Sequence, residues 1–216
     1  VHALLAHLQG RVPRIPRVLG FDQLGRESLT YLPGQVVDID TDLLTSGQIR
    51  AMGAWARVLH DAVQGFAHPG PWRFFPVARP TLIGHNDIAP YNVCFDGDRL
   101  VGVFDWDFAG PTTRLYEVAF MAWNCVPLWR DIGAQDAAAR LALLTASYGG
   151  IDARTVLQAV PERIQLMLDG IPAAAAAGDV GMANLMAAGE PARSLASLQD
   201  LTRRIPAIDS RLATQP

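Results

Sequence analysis

Residues 85–92 read HNDIAPYN, and residues 104–110 read FDWDFAG. Asn, Asp and Pro each favour turns for their own steric or hydrogen-bonding reasons, so the first stretch alone reads equally well as a polar turn between strands. The segment between the two stretches changes that. NVCF (92–95) and LVGVF (100–104) are apolar, β-prone runs around DGDR, a strong hairpin turn. With the loop near Gly97-Asp98, antiparallel pairing sets Asn92 opposite about Val103, and Asp105 follows at once. Asp87 lies in the loop feeding the same hairpin. Three oxygen-bearing side chains, those of Asp87, Asn92 and Asp105, are therefore expected at one end of a small sheet.

The flanking sequence supplies the setting. TLIG (81–84) reads as a short strand entering the loop. Upstream, VHALLAHLQ (1–9) has the spacing of a short amphipathic helix, ended by Gly10 and Pro13. RVLGFD (17–22) and ESLTYL (27–32) form a hairpin around QLGR, broken by Pro33-Gly34. Residues 46–64 repeat apolar positions at helical spacing, with Ser46 as the expected N-cap. Residues 65–80 hold four prolines and two glycines and read as loop. Beyond 115 the pattern is helical, over about 115–126, 134–148, 153–169, 180–188 and 192–204, with the alanine run at 173–177 as a helix end. The fold class is α+β: a partial sheet-bearing lobe (1–34, helix plus β-hairpin), then a mainly helical lobe with small hairpins (35–216).

A carboxylate and an amide oxygen together suit a hard cation such as Mg²⁺, and a second carboxylate can orient or deprotonate an attacking hydroxyl. His85-x-Asp87 followed by Asn92 has the spacing of a kinase catalytic loop, and Asp105 stands where the metal-binding Asp stands. The hydrophobic residue before Asp105, the Trp after it and the Ala-Gly-Pro beyond resemble the aminoglycoside phosphotransferase family rather than a protein kinase. TRLYEVAF (113–120), with Glu117 as its acid, and LTYLPG (29–34), as the hinge strand, extend the resemblance over about residues 1–125.

The resemblance implies a protein-kinase-like fold and transfer of phosphate from ATP or GTP to a small-molecule hydroxyl. Asp87 would be the catalytic base, and Asn92 and Asp105 would hold Mg²⁺. His85 would brace the loop against 105–107. Asp107 would be an outer partner of the metal or a solvated, helix-capping acid. Backbone groups of Thr30, Tyr31 and Leu32 would meet the adenine. Antibiotic resistance is one role such a kinase serves. His2, His7, His60 and His68 have no matching spacing and read as surface or core histidines. Trp123 and Trp129 read as core, with an aromatic wall for a cationic substrate as the alternative.

Family members carry a glycine-rich loop and a phosphate-binding lysine ahead of the first helix. This sequence begins at Val1, too late to hold either, and residues 1–9 lack the glutamate that would pair with that lysine. The expectation is a truncated front end and impaired transfer. Two other readings stand beside the kinase: a pseudoenzyme or ligand-binding, immunity-type protein that kept the lobe, and a metal-dependent hydrolase using Asp87, Asp105 and Asp107.

Composition narrows the partners. In 216 residues all 18 basic residues are arginine, and the net charge is −3 without a basic stripe, which argues against nucleic acid. No apolar run reaches the length of a membrane span, and no secretory signal opens the sequence. Cys94 and Cys125 make neither a disulfide framework nor a metal motif, so a reduced, cytoplasmic setting is expected. Residues 133–216 hold eight acids and seven arginines, so no preference for a polycationic acceptor shows.

Overall fold

The computed structural model describes residues 1–214. Leu4, Leu5 and Leu8 share one face of α1 (His2–Leu8) and are buried by it. The chain then forms a two-stranded ribbon, β1 (Val18–Phe21) and β2 (Glu27–Leu29), turned around Asp22, whose Oδ1 accepts the N–H groups of Leu24 and Arg26. The strands are shorter than their sequence pattern suggests, because a bulge at Val18/Gly20 breaks the register.

After Pro33 the backbone turns onto a second hairpin, β4 (Val93–Asp96) and β5 (Arg99–Val103). Gln35 and Phe95 exchange both backbone hydrogen bonds at 2.8 Å. Gly34 makes this approach possible: its φ is +126°, and a Cβ there would stand 2.6 Å from Val101 Cγ2.

Helix α2 (Ser46–Ala62) starts one residue earlier than expected, since Thr45 rather than Ser46 is its cap. The reason lies three positions on. Thr45 Oγ1 accepts from the Gln48 N–H, and Gln48 Oε1 accepts from the Thr45 N–H, a reciprocal box that only a Gln at that spacing completes. Strand β3 (Leu82–Gly84) pairs antiparallel with β6 (Gly110–Thr112), which the sequence did not announce. Pro111 lies within β6, a position tolerated because the sheet has only two strands. This pairing ties together the two ends of the segment 85–109.

The helical half comprises α3 (Arg114–Cys125), α4 (Ala134–Tyr148), α5 (Ala153–Ala176), α6 (Val180–Ala187) and α7 (Glu190–Leu212). Helix α5 runs well past the expected end near residue 169. Gly170 lies flat against the Phe75 ring, and Ile171 is buried, so tertiary contact carries the helix through Gly170 and Pro172. The main core joins α1, α2, α3, α4, α5 and α7 with the small sheets, and a satellite cluster of Phe74, Phe75, Ile171 and Met182 lies under the 65–80 loop. Among the described residues no helix is long and apolar enough to cross a membrane.

Candidate active site

Strand β3 delivers the chain into the loop at 85–92, and a buried acid on α3 shapes it. Glu117 accepts the backbone N–H groups of both His85 (3.1 Å) and Asn86. Gly84 leaves room for that carboxylate, since a Cβ there would sit 2.6 Å from Glu117 Cδ. Glu117 also accepts from His60 Nε2 at 2.8 Å, and His60 Nδ1 takes the Tyr148 hydroxyl proton at 2.8 Å. A carboxylate only accepts, so this order of donors follows from the chemistry of the groups. Burial alone would raise the Glu117 pKa, but the hydrogen bond from His60, the polar surroundings of the two imidazoles and the loop N–H groups hold it below the ordinary value.

Asn86 adopts a positive φ of 65°. Its Nδ2 donates to the carbonyls of Phe108 (3.2 Å) and Gly110 (3.1 Å), and its own carbonyl accepts from Arg163 Nη2 at 2.9 Å. His85 Nε2 donates to the Phe104 carbonyl at 3.1 Å, its Nδ1 accepts from the Asp87 N–H at 3.3 Å, and its ring lies 4.5 Å from that of Trp106. Burial depresses the His85 pKa, consistent with a neutral ring that donates from one nitrogen and accepts at the other.

Asp87 emerges from this scaffold at the edge of a cavity. Tyr91 Oη donates to its Oδ1 and Asn92 Nδ2 to its Oδ2, both at 2.8 Å. A short 3₁₀ turn, Pro90–Asn92, sets Tyr91 and Asn92 at these positions. Burial raises the Asp87 pKa to about 7, against the lowering effect of Tyr91 and Asn92, and the charge of Asp105 adds to the rise. Strands β4 and β5 pair Val93 with Val103, one residue from the expected register, and the Phe104 N–H donates to the Asn92 carbonyl at 3.0 Å. Asp105 follows, exposed and at φ 57°, a left-handed conformation costly for a non-glycine residue. Its carboxylate takes no hydrogen bond among the described residues, and Asn92 Oδ1 is likewise free of a side-chain donor.

Asp107 faces elsewhere. It accepts from Arg73 Nη1 at 3.2 Å, and Arg73 forks onto Asp179 at 2.7 and 2.8 Å. Asp179 also caps α6 by accepting from the Met182 N–H, and the Arg73 bond holds its carboxyl well below the usual range. Arg73 thus ties the 65–80 loop to α6 and to the segment after Asp105.

Two cavities open on this part of the molecule. One, of about 370 Å³, is lined by Thr30, Tyr31, Leu32, Val36, Cys94 and Phe104. Among the described residues the N–H groups of Tyr31 and Leu32 have no backbone acceptor, and the Tyr31 side chain is 85 % exposed. The other cavity, of about 670 Å³, has Asn86, Asp87 and Tyr91 in its lining. Phe74, Phe108, Phe120, Trp123 and Trp129 wall it, so Trp123 and Trp129 are core residues that also face a ligand-sized space.

Several of these groups escape the sequence. Tyr91 follows Asp87 by four residues, a spacing that could have flagged it. Arg163 sits among Val156, Leu157, Val160 and Ile164 on α5, and a lone arginine on a buried helical face is the signal it leaves. His60 is a core histidine, as read, but its partner Glu117 is distant in sequence.

The chain therefore has a protein-kinase-like fold with small antiparallel hairpins and a largely helical remainder. Residues 72–157 match the model of a family described as the phosphotransferase enzyme family. An amicoumacin kinase in complex with AMP-PNP, Ca²⁺ and its antibiotic aligns over 94 % of this chain and 75 % of its own, with TM-score 0.62 and 13 % identity. An aminoglycoside 2′-phosphotransferase in its GDP complex aligns over 94 % and 80 %, with TM-score 0.58 and 14 % identity. A choline/ethanolamine kinase family protein from Mesorhizobium loti aligns over 98 % and 83 %, with TM-score 0.56 and 17 % identity. A trifolitoxin immunity protein of Rhizobium leguminosarum bv. trifolii is 30 % identical over 79 % of this chain, and the chain spans 62 % of that relative's length. The phosphotransferase family model thus matches the segment 72–157, and the solved structures share the fold over most of the chain.

Proposed function

We propose that this chain forms the catalytic and acceptor-binding part of a phosphotransferase that moves the terminal phosphoryl group of ATP or GTP to a hydroxyl on a small molecule. The observation that carries the reading is the direct bonding of Asp87, in the lining of the larger cavity, to Asn92, and the β4–β5 hairpin that runs from Asn92 to Asp105 supports it. In this reading Asp87 accepts the proton of the attacking hydroxyl, and Tyr91 and Asn92 hold its carboxylate in aim. Thr30, Tyr31 and Leu32 offer backbone groups to the adenine in the smaller cavity, on the far side of Pro33. Asn92 Oδ1 and the unengaged Asp105 carboxylate are oxygen donors of the kind Mg²⁺ takes, so the residues fit that ion. Bound there, it would neutralise charge on the nucleotide's phosphates. His85 and Glu117 fix the loop, and Asp107 acts through Arg73 and α6. The transfer itself is a problem of position and charge, which is what this rigid, multiply bonded loop supplies.

A chain purified as it stands, with any residues its gene encodes upstream, should show Mg-nucleotide-dependent phosphate transfer to a hydroxyl compound. Asp87→Asn keeps the bond from Asn92 on its oxygen, leaves Tyr91 to turn its hydroxyl from donor to acceptor, and removes the base, so transfer should fall by about 10²–10⁴-fold with little change in melting temperature. Unchanged turnover in that variant would overturn the assignment.

A second reading is favoured by the immunity-protein relative: the lobe binds a toxic small molecule or peptide antibiotic and protects by sequestration or by modification. Protection of cells that survives Asp87→Asn would select sequestration. Protection lost with Asp87 would unite the two readings and give the kinase a resistance role.

A further inference from the structure

The larger cavity differs from what a polycationic acceptor needs. A ligand with several ammonium groups calls for several unengaged carboxylates. Here Asp87 is held by Tyr91 and Asn92, and Glu190 is bound by Arg193 (2.9 Å) and Ser194 (2.6 Å). Asp40 stands at the exposed rim.

The interior instead offers mostly donors, with Asn86 Oδ1 the buried side-chain acceptor of this lining that has no partner among the described residues. Arg163 forms part of the wall, is 2 % exposed, and is clamped between the rings of Phe74 (5.0 Å) and Phe120 (4.4 Å). Its Nη2 binds the Asn86 carbonyl, while Nε and Nη1 are buried without a partner among the described residues. Trp129 Nε1, in the same wall, is also buried and unpartnered. Buried donors left without acceptors are unfavourable, and a ligand oxygen recovers that loss once a small shift of the two side chains presents these N–H groups to the cavity. Phe108, Trp123, Met167 and Ile171 make much of the remaining wall apolar, beside the polar Asn124, Arg193 and Ser197, and the volume is typical of a site for one drug-sized molecule.

We infer that the cavity between α3, α5 and α7 takes an alcohol with an apolar body that also carries a carbonyl or carboxylate oxygen, read by Arg163 and Trp129, and that it discriminates against polyamines. The inference rests on the phosphotransferase reading only for the hydroxyl; the ligand class comes from the cavity alone.

The test is ligand-observed NMR titration of the full chain with four probes. N-acetyl-phenylalaninol is neutral with an amide carbonyl, 3-phenyllactate is anionic, phenylalaninol is cationic without an acceptor carbonyl, and kanamycin is a polycation. The first two should bind at least about tenfold tighter than the last two, as expected for one hydrogen bond to a charged donor. The order between the first two distinguishes carbonyl from carboxylate. Arg163→Met should remove most of that preference. If that variant melts early, Trp129→Phe, which deletes one N–H and keeps the apolar wall, should weaken the two oxygen-bearing probes several-fold and leave phenylalaninol unchanged.

Kanamycin or phenylalaninol binding as tightly as the others would overturn the inference. So would a preference that survives a folded Arg163→Met or Trp129→Phe, or no binding by either oxygen-bearing probe. Binding in the expected order without phosphate transfer to any probe would keep the ligand class and remove the kinase reading. Transfer to kanamycin alone would do the reverse.

Discussion

Glu117 sits where water does not reach, and its two oxygens gather donors from the 85–92 loop on one side and from His60 on the other. Its depressed pKa makes the acid a source of pH-dependent stability. The folded pKa lies below the unfolded value of 4.5, so the contribution is complete above about pH 4.5 and is lost as pH falls through the folded value. Urea unfolding from pH 6 to 3 should show that loss in the native chain. The corresponding part of the slope should be missing in Glu117→Gln, which does not titrate. Glu117→Ala leaves two loop N–H groups and His60 without their acceptor and should cost about 3–5 kcal/mol at neutral pH. The residue itself was legible as the acid of TRLYEVAF. Its bond to His60 was not, because the two meet only when α2 and α3 pack, and neither carries a local sign of the other.

At the scale of elements, caps and close contacts decide more than propensity does. Thr45→Ala removes the hydroxyl half of the α2 capping box and should lower stability by about 1 kcal/mol, read as a drop in urea midpoint. Gly53, inside α2, sets propensity against packing. Alanine is favoured over glycine in a helix interior by about 1 kcal/mol. At this position, however, a Cβ would stand 2.8 Å from the Leu144 carbonyl of α4, backbone that moves only if the helix moves. Overpacking costs about 1–3 kcal/mol, so Gly53→Ala should destabilise on balance, and a raised melting temperature would show that α2 and α4 separate easily. The same reasoning explains α5. Its sequence contains Gly170 and Pro172, signals that end a helix, yet the Phe75 ring needs the bare backbone of Gly170 and holds the segment in line.

Across the whole molecule, the two cavities share no lining residue: one is edged by Thr30–Leu32 and the other by Asp87. On the phosphotransferase reading, this layout would separate nucleotide binding from acceptor binding. Mg-nucleotide should raise the melting temperature of the native chain, and Asp105→Ala should abolish that shift while leaving acceptor binding in the larger cavity within about twofold, since Asp105 does not line it. Loss of both together would mean that the two cavities form one coupled site.

The sequence by itself determined the order of elements, the β4–β5 hairpin and the family likeness, because each depends on residues close together along the chain: DGDR sets the turn, and the turn sets which residues pair. It also offered grounds to expect Asp87, Asn92 and Asp105 near one another, since a single hairpin spans them, and Asp87 and Asn92 do meet, at 2.8 Å. Only the tertiary structure decided what holds that loop and what the acceptor cavity is made of. The β3–β6 pairing, the His60–Glu117 bond and the seating of Arg163 between Phe74 and Phe120 each join residues far apart in sequence. Such contacts are selected by burial and by the need to satisfy polar groups inside the packed protein, and no local spacing encodes them.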